Sequence, residues 1–170
     1  MSNDEHNKVA KILEIGANIG IIVFALAALT IFVKDHWLKQ PQVKQISVGE
    51  PFALKNTNWQ ASGGALVFGI STTCHFCTES APFYRELVQR CTAQHVHTIA
   101  VLPQSRQEAE SYLSGEGILV DEIRQYPLSE LEIAGTPTLL RIDANGIVKQ
   151  MWIGKLQPNQ EKDVLAKLGS

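Results

Sequence analysis

Cysteine is scarce in this chain, with 3 among 170 residues. That is too few for a small fold stapled by several disulfides. Neither sign of charge dominates, because 15 Lys and Arg stand against 17 Asp and Glu, a formal net charge of -2. No basic surface for nucleic acid is expected from that balance. The chain has no internal repeat and no low-complexity tract, which leaves out solenoids and single-residue linkers. Charged residues make up 19% and hydrophobic residues 45%, so the chain is not disordered overall. Its length leaves room for one domain with an ordinary core and one further element.

The further element comes first. Residues 1–11 form a short polar tail, and Ile15 to Val33 then carries no charge, with Asn18 and Thr30 as interruptions. At 1.5 Å per residue that run spans about 28 Å, close to the hydrocarbon thickness of a bilayer. A core helix of such length would be hard to cover in a small domain. A cleaved signal peptide is a nearer rival, since Ala25-Leu26-Ala27 has the small-x-small form. Cutting there would leave an apolar tail through Val33, so an uncleaved single transmembrane anchor over residues 12–34 is expected. Lys8 and Lys11 precede the span, and Lys34, Lys39 and Lys44 follow it; this balance does not set its orientation. Residues 35–47, with Pro41, read as a linker and 48–170 as the folded domain.

The domain is organised around Cys74-His75-Phe76-Cys77. Before it, Ala65-Leu66-Val67-Phe68 is an apolar run of buried-strand length. After it, Pro82 to Val88 carries apolar residues at helical spacing. The two cysteines therefore sit where a strand hands over to a helix. Unpaired N–H groups and the dipole at a helix start favour negative charge, so Cys74 is expected partly as thiolate, the nucleophile of disulfide exchange. Cys77, one turn further in, is close enough to bond to it. His75, when protonated, would favour that thiolate; otherwise it is a solvated side chain. Phe76 offers either an apolar contact to a substrate or local packing.

The remaining pattern is α/β. Val48 to Leu54 reads as an extended or hairpin lead-in, and 56–64 as turns, with Trp59 capping the domain. His97 to Leu102 is a strand stopped by Pro103. Ser105 with Glu108 forms a capping box opening a helix through Leu113. Ile118 to Ile123 reads as a short strand and Pro127 to Ile133 as a turn of helix. Thr138 to Ile142 and Ile147 to Ile153 are hairpin strands around Asp143-Ala144-Asn145-Gly146. Gln157 to Leu168 closes the chain as an amphipathic helix. Strands alternating with helices and ending in a hairpin give a central mixed sheet with helices on both faces.

These residues resemble the thioredoxin-like proteins. Cys74-His75-Phe76-Cys77 looks like their redox motif, Pro82 like the proline that kinks the active-site helix, and Gly135-Thr136-Pro137-Thr138 like the cis-proline loop. Gly154 matches a glycine near the substrate groove. The long spacing to Pro137, the helix after Ser105 and the N-terminal anchor are similar to membrane-anchored TlpA/ResA-type thiol–disulfide oxidoreductases. The resemblance covers about Val48 to Leu168. It implies a thioredoxin-like fold, protein thiol or disulfide substrates and no cofactor beyond a redox-active Cys74–Cys77 disulfide. Cys74 and Cys77 would be catalytic, with Thr136, Pro137, His75 and Phe76 meeting the substrate. It also implies a reductase, a membrane electron donor as a candidate partner, and a domain on the periplasmic or extracellular side, where disulfides form.

The chain departs from the pattern in places. Phe68 stands where thioredoxin carries a buried Asp. Ser80 holds the place of a ResA-type Glu, with Glu79 one position early, either as a substitute proton acceptor or as a surface carboxylate. Cys91 reads as a small buried hydrophobe. Cys74, Cys77, Cys91 and His95 also show the spacing of a zinc set. A continuous helix would nevertheless hold Cys91 about 20 Å from Cys77 by rise alone. Copper delivery by Cys74, Cys77 and a distant His is the alternative function, although thioredoxin-fold copper chaperones usually place three residues between their cysteines. No metal ligand is expected among the site residues.

Overall fold

The computed structural model describes residues 16, 19–32 and 44–168. The chain divides into two compact units, Met1–Gln42 and Val43–Ser170. In the first, residues 19–32 form a helix, α1. Its large apolar side chains stand exposed on every side, among them Ile21, Phe24, Leu29 and Phe32. Among the described residues, no helix is long and apolar enough to cross a membrane. The ends of the expected 12–34 span, the 1–11 tail and most of the linker lie outside the described residues.

The second unit is built on five strands: β1 (Ala65–Gly69), β2 (Thr98–Leu102), β3 (Glu122–Gln125), β4 (Thr138–Ile142) and β5 (Val148–Ile153). They lie in the order β3-β2-β1-β4-β5. β1 pairs parallel with β2, and β2 with β3, whereas β4 runs antiparallel to both β1 and β5. The sheet is therefore mixed, as expected. Every residue of β1 and β2 is buried, which is why these central strands read as unbroken apolar runs. Their alternate side chains feed two cores. Leu66 and Phe68 join one with Ala100, Leu102 and Leu139; Val67 joins the other with Ile99, Val101 and Leu140.

The helical elements of this unit are α2 (Trp59–Ser62), α3 (His75–Glu79), α4 (Ala81–Ala93), α5 (Arg106–Gly115), α6 (Pro158–Ala166) and a 3-10 turn over Leu128–Leu131. The two faces are unequally covered. Leu87 and Val88 of α4, Leu113 of α5 and Val164 of α6 all enter the first core. The second is closed by Ile46, Phe52, Leu54, the 3-10 turn and Trp59 of α2. Burying each such Leu or Val contributes about 1.5–3 kcal/mol, so both faces are firmly held.

Three expectations change. The strand placed at Ile118 to Ile123 begins only at Glu122. Ile118 instead packs into the first core, and its N–H donates to Leu113 O at 2.9 Å, closing the α5 exit. The turn-rich stretch before β1 contains α2, capped by Asn58 Oδ1. The body also starts before 48, because Ile46 is buried and its N–H donates to Glu132 O at 2.9 Å. The capping box of α5 is present in full, with Ser105 and Glu108 bonded reciprocally.

Candidate functional site

β1 ends at Gly69, and the chain then crosses Ser71, Thr72 and Thr73 to reach Cys74. Cys74 is the N-cap of α3 and sits in extended backbone. Cys74 and Cys77 are joined as a disulfide, with their Cα atoms 5.3 Å apart. The Cys77 N–H donates to Cys74 Sγ at 3.2 Å. The bond places a helix-start N–H beside the sulfur of the outer cysteine. Exposure separates the two cysteines. Cys74 is half-buried, whereas Cys77 is 1% exposed and belongs to the core. Only Cys74 can meet a partner molecule without movement of the fold.

Ser80 breaks the helical run between α3 and α4, and Pro82 lies in the first turn of α4. Proline lacks the N–H that would tie it to the preceding turn, so the two helices meet as separate pieces. The position is the one expected for the kink.

The residues flanking the disulfide divide into an apolar tip and a charged rim. Phe76 is 54% exposed. His75 is exposed, with Nε2 3.1 Å from Glu79 Oε1, while Lys155 Nζ lies 2.9 Å from Glu79 Oε2. The Lys155 ammonium is the main cause holding the Glu79 carboxyl below its ordinary value of 4.5. Glu79 is thus an ion-paired surface carboxylate rather than a poised proton acceptor.

Neither Phe68 nor Ser80 supplies a carboxylate. Phe68 is fully buried and meets the Tyr84 ring edge-on, with centroids 5.4 Å apart. Ser80 is buried and donates its hydroxyl to Phe76 O at 2.8 Å. Burial, the largest cause, pushes the neighbouring Tyr84 phenol far above its ordinary 10.0.

Pro137 follows a cis Thr136–Pro137 bond and is buried, with Thr136 half-buried. Thr138 pairs with Gly69 across the antiparallel β1–β4 ladder. The start of β4 therefore lies at the end of β1 from which the chain leaves for Cys74. The Gly154 N–H donates to Pro137 O at 2.7 Å, and exposed Ile153 pairs with Thr138. Pro137, Gly154 and Lys155 are thereby gathered at one end of the sheet.

Cys91 sits near the far end of α4, fully buried and unbonded to another cysteine. Burial pushes its thiol up to about 12. It is a packed apolar group, as the sequence favours. Among the described residues, no three His, Cys, Asp or Glu side chains are grouped to hold a metal ion.

The sequence reading missed Gln104, Tyr112 and Lys155. Gln104 Nε2 donates to Ser71 Oγ at 2.7 Å, and the Tyr112 hydroxyl shares a hydrogen bond with Thr78 Oγ1 at 3.2 Å. No local motif marks any of the three.

No protein-family model and no curated protein sequence matches the chain. Solved structures do. The thioredoxin domain of a thiol-disulfide oxidoreductase from Bacteroides vulgatus superposes with a TM-score of 0.56 at 11% identity, covering 74% of this chain and 100% of that one. A thiol-disulfide isomerase from Corynebacterium glutamicum gives 0.53 at 14% identity, over 77% and 99%. A candidate thiol:disulfide interchange protein DsbE from Chlorobium tepidum gives 0.54 at 19% identity, over 74% and 100%. At these identities the likeness is one of fold: the chain has a thioredoxin-like fold and carries a Cys-x-x-Cys disulfide at the mouth of α3.

Proposed function

We propose that this protein is a membrane-anchored thiol–disulfide oxidoreductase acting on protein substrates. The observation that carries the reading is the pairing of a reachable Cys74 with a buried Cys77 at a helix start. In the reducing direction, the Cys74 thiolate attacks one sulfur of a substrate disulfide. A mixed disulfide forms and the other substrate sulfur leaves as thiolate. Cys77 then loses its proton to solvent and attacks Cys74 Sγ. The second substrate sulfur is expelled with the electron pair, and the enzyme disulfide is restored. The substrate gains two electrons and two protons, and a donor dithiol must re-reduce the enzyme. A membrane electron donor fits that need.

Thr136 and Pro137 would hold an extended substrate segment beside Cys74 through backbone pairing. Phe76 would add apolar contact, and His75 positive charge when protonated. Reduction rather than oxidation is the favoured direction, on the strength of the anchored proteins that the motif resembles. The charge-free run from Ile15 to Val33 supports the anchor, as do the exposed apolar side chains of α1. Redox logic puts the domain on the periplasmic or extracellular side.

Insulin reduction driven by dithiothreitol tests the reading. The parent should accelerate it, Cys74→Ser should abolish the acceleration, and Cys77→Ser should accumulate a mixed disulfide. Undiminished activity in Cys74→Ser overturns the assignment.

A further inference from the structure

The segment that leaves β2 touches the redox turn on both flanks. Ahead of Cys74, Gln104 Nε2 donates to Ser71 Oγ at 2.7 Å, and Gln104 Oε1 accepts the Thr72 N–H at 3.3 Å. Ser71 passes that hold onward, because its carbonyl accepts the Cys74 N–H at 3.1 Å and its Oγ lies 3.1 Å from Thr73 Oγ1. Behind Cys77, the next residue, Thr78, is bonded through Oγ1 to the Tyr112 hydroxyl at 3.2 Å.

Gln104 and Tyr112 belong to one firm piece of structure. Gln104 immediately precedes Ser105, the N-cap whose reciprocal bonds with Glu108 fix the start of α5. Ala109 and Leu113 bury the inner side of α5. Its exit is tied to α4 by Arg85 Nη1, which donates to Glu116 O at 2.8 Å. Moving one contact without the other would require this helix to bend or shift.

We propose that Gln104 and Tyr112 are positioning residues of the redox pair, which help set its reduction potential by holding the two flanks of the Cys74–Cys77 turn at the spacing of the disulfide. The proposal rests on the exchange reading above. Bond formation within the dithiol is intramolecular, so its equilibrium depends on how often one sulfur is presented to the other. The disulfide fixes the 5.3 Å Cα spacing covalently. After reduction, only the surrounding contacts hold it. Removing the clamp therefore frees the reduced turn more than the oxidised one. The reduced form gains conformational entropy, and the disulfide becomes easier to reduce. A merely structural contact would weaken both forms equally and leave the potential unmoved.

The test uses the full chain in detergent, equilibrated against reduced and oxidised glutathione. In that equilibrium the Cys74–Cys77 bond breaks while two glutathione thiols pass two electrons and two protons to the protein sulfurs and join as glutathione disulfide. Gln104→Met and Tyr112→Phe should each lower the equilibrium constant for disulfide formation by about three- to tenfold. A tenfold change is a potential about 30 mV more positive. The double variant should move further in the same direction.

Unchanged constants, or shifts towards a more stable disulfide, overturn the clamp. So does an equal fall in melting temperature for the oxidised and reduced forms. Tyr112→Phe removes a single hydroxyl and carries the test if Gln104→Met does not fold. A parent protein that fails to equilibrate with glutathone at all overturns the exchange reading and the clamp with it. A well-behaved parent with unmoved variants overturns the clamp alone.

Discussion

Lys155 and Glu79, 76 positions apart, place an ammonium 2.9 Å from a carboxylate and tie the loop after β5 to the redox helix. The pair decides what Glu79 does. A general base contributes about 10²–10⁴-fold to a rate and works best with a pKa near the operating pH. Glu79 is held below 4.5, chiefly by Lys155, and its other oxygen faces His75. Glu79→Gln should therefore change the insulin-reduction rate by less than about threefold, far short of the loss of a general base. A fall of a hundredfold would restore Glu79 as the proton acceptor of Cys77.

Cys91 supplies a check on thiol accounting. Its side chain is fully buried, with the thiol pushed up to about 12, and a thiol that stays protonated is a poor nucleophile. The reduced native protein should release two equivalents from an aromatic disulfide reagent, through attack by Cys74 and closure by Cys77. The third thiol should react only in denaturant. Cys91→Ser should cost about 1–3 kcal/mol in urea unfolding, because its hydroxyl is a more polar group to bury than the thiol. Rapid release of three equivalents from the folded protein would contradict this picture.

Acid stability follows from the hairpin turn. Asp143 Oδ1 accepts the N–H groups of Ile147 at 3.0 Å and Asn145 at 2.8 Å. Those bonds, that from Ile147 first, hold its carboxyl below the ordinary 3.8. A depressed folded value gives stability that is present above the unfolded pKa and lost as pH falls through the folded one. Asp143→Asn keeps an acceptor oxygen but removes the titration. It should be the less stable protein at pH 7, and the gap should narrow as pH falls from about 5 to about 2. Parallel stability curves in urea unfolding over that range would remove Asp143 as a contributor.

What the sequence made legible was local. A strand-length apolar run before Cys74, the Ser105–Glu108 box and the Asp143–Gly146 turn are written in neighbouring residues. The physical rules linking them act over three or four positions. The contacts of Gln104 with Ser71 and Thr72 span 33 and 32 positions, and that of Tyr112 with Thr78 spans 34. No spacing in the chain encodes such pairs; they exist only once β1 and β2 lie side by side. The misplaced β3 has the same origin. Ile118 and Val120 look like strand residues, yet Ile118 is consumed by the core and Leu119 is 76% exposed. Short apolar runs do not by themselves distinguish a strand from a loop that plugs a core.

The proposed anchor makes the last prediction. Residues 19–32 form a helix whose apolar side chains are exposed on all sides, with Ile21 at 67% and Phe24 at 76%. Such a surface is costly in water and favourable in hydrocarbon. A charged residue at the centre of a membrane helix costs about 2.5–3.5 kcal/mol on insertion scales. Phe24→Arg together with Leu26→Arg should therefore shift the protein from the membrane fraction to the soluble fraction, while insulin reduction by the released domain persists. On intact cells, a membrane-impermeant maleimide should label reduced Cys74 and spare buried Cys91. Retention of the double Arg variant in membranes would argue against residues 19–32 as the anchor. Labelling of Cys74 only after cell lysis would put the domain on the cytoplasmic side, where the glutathione pool keeps thiols reduced and a tethered reductase would have few disulfides to act on.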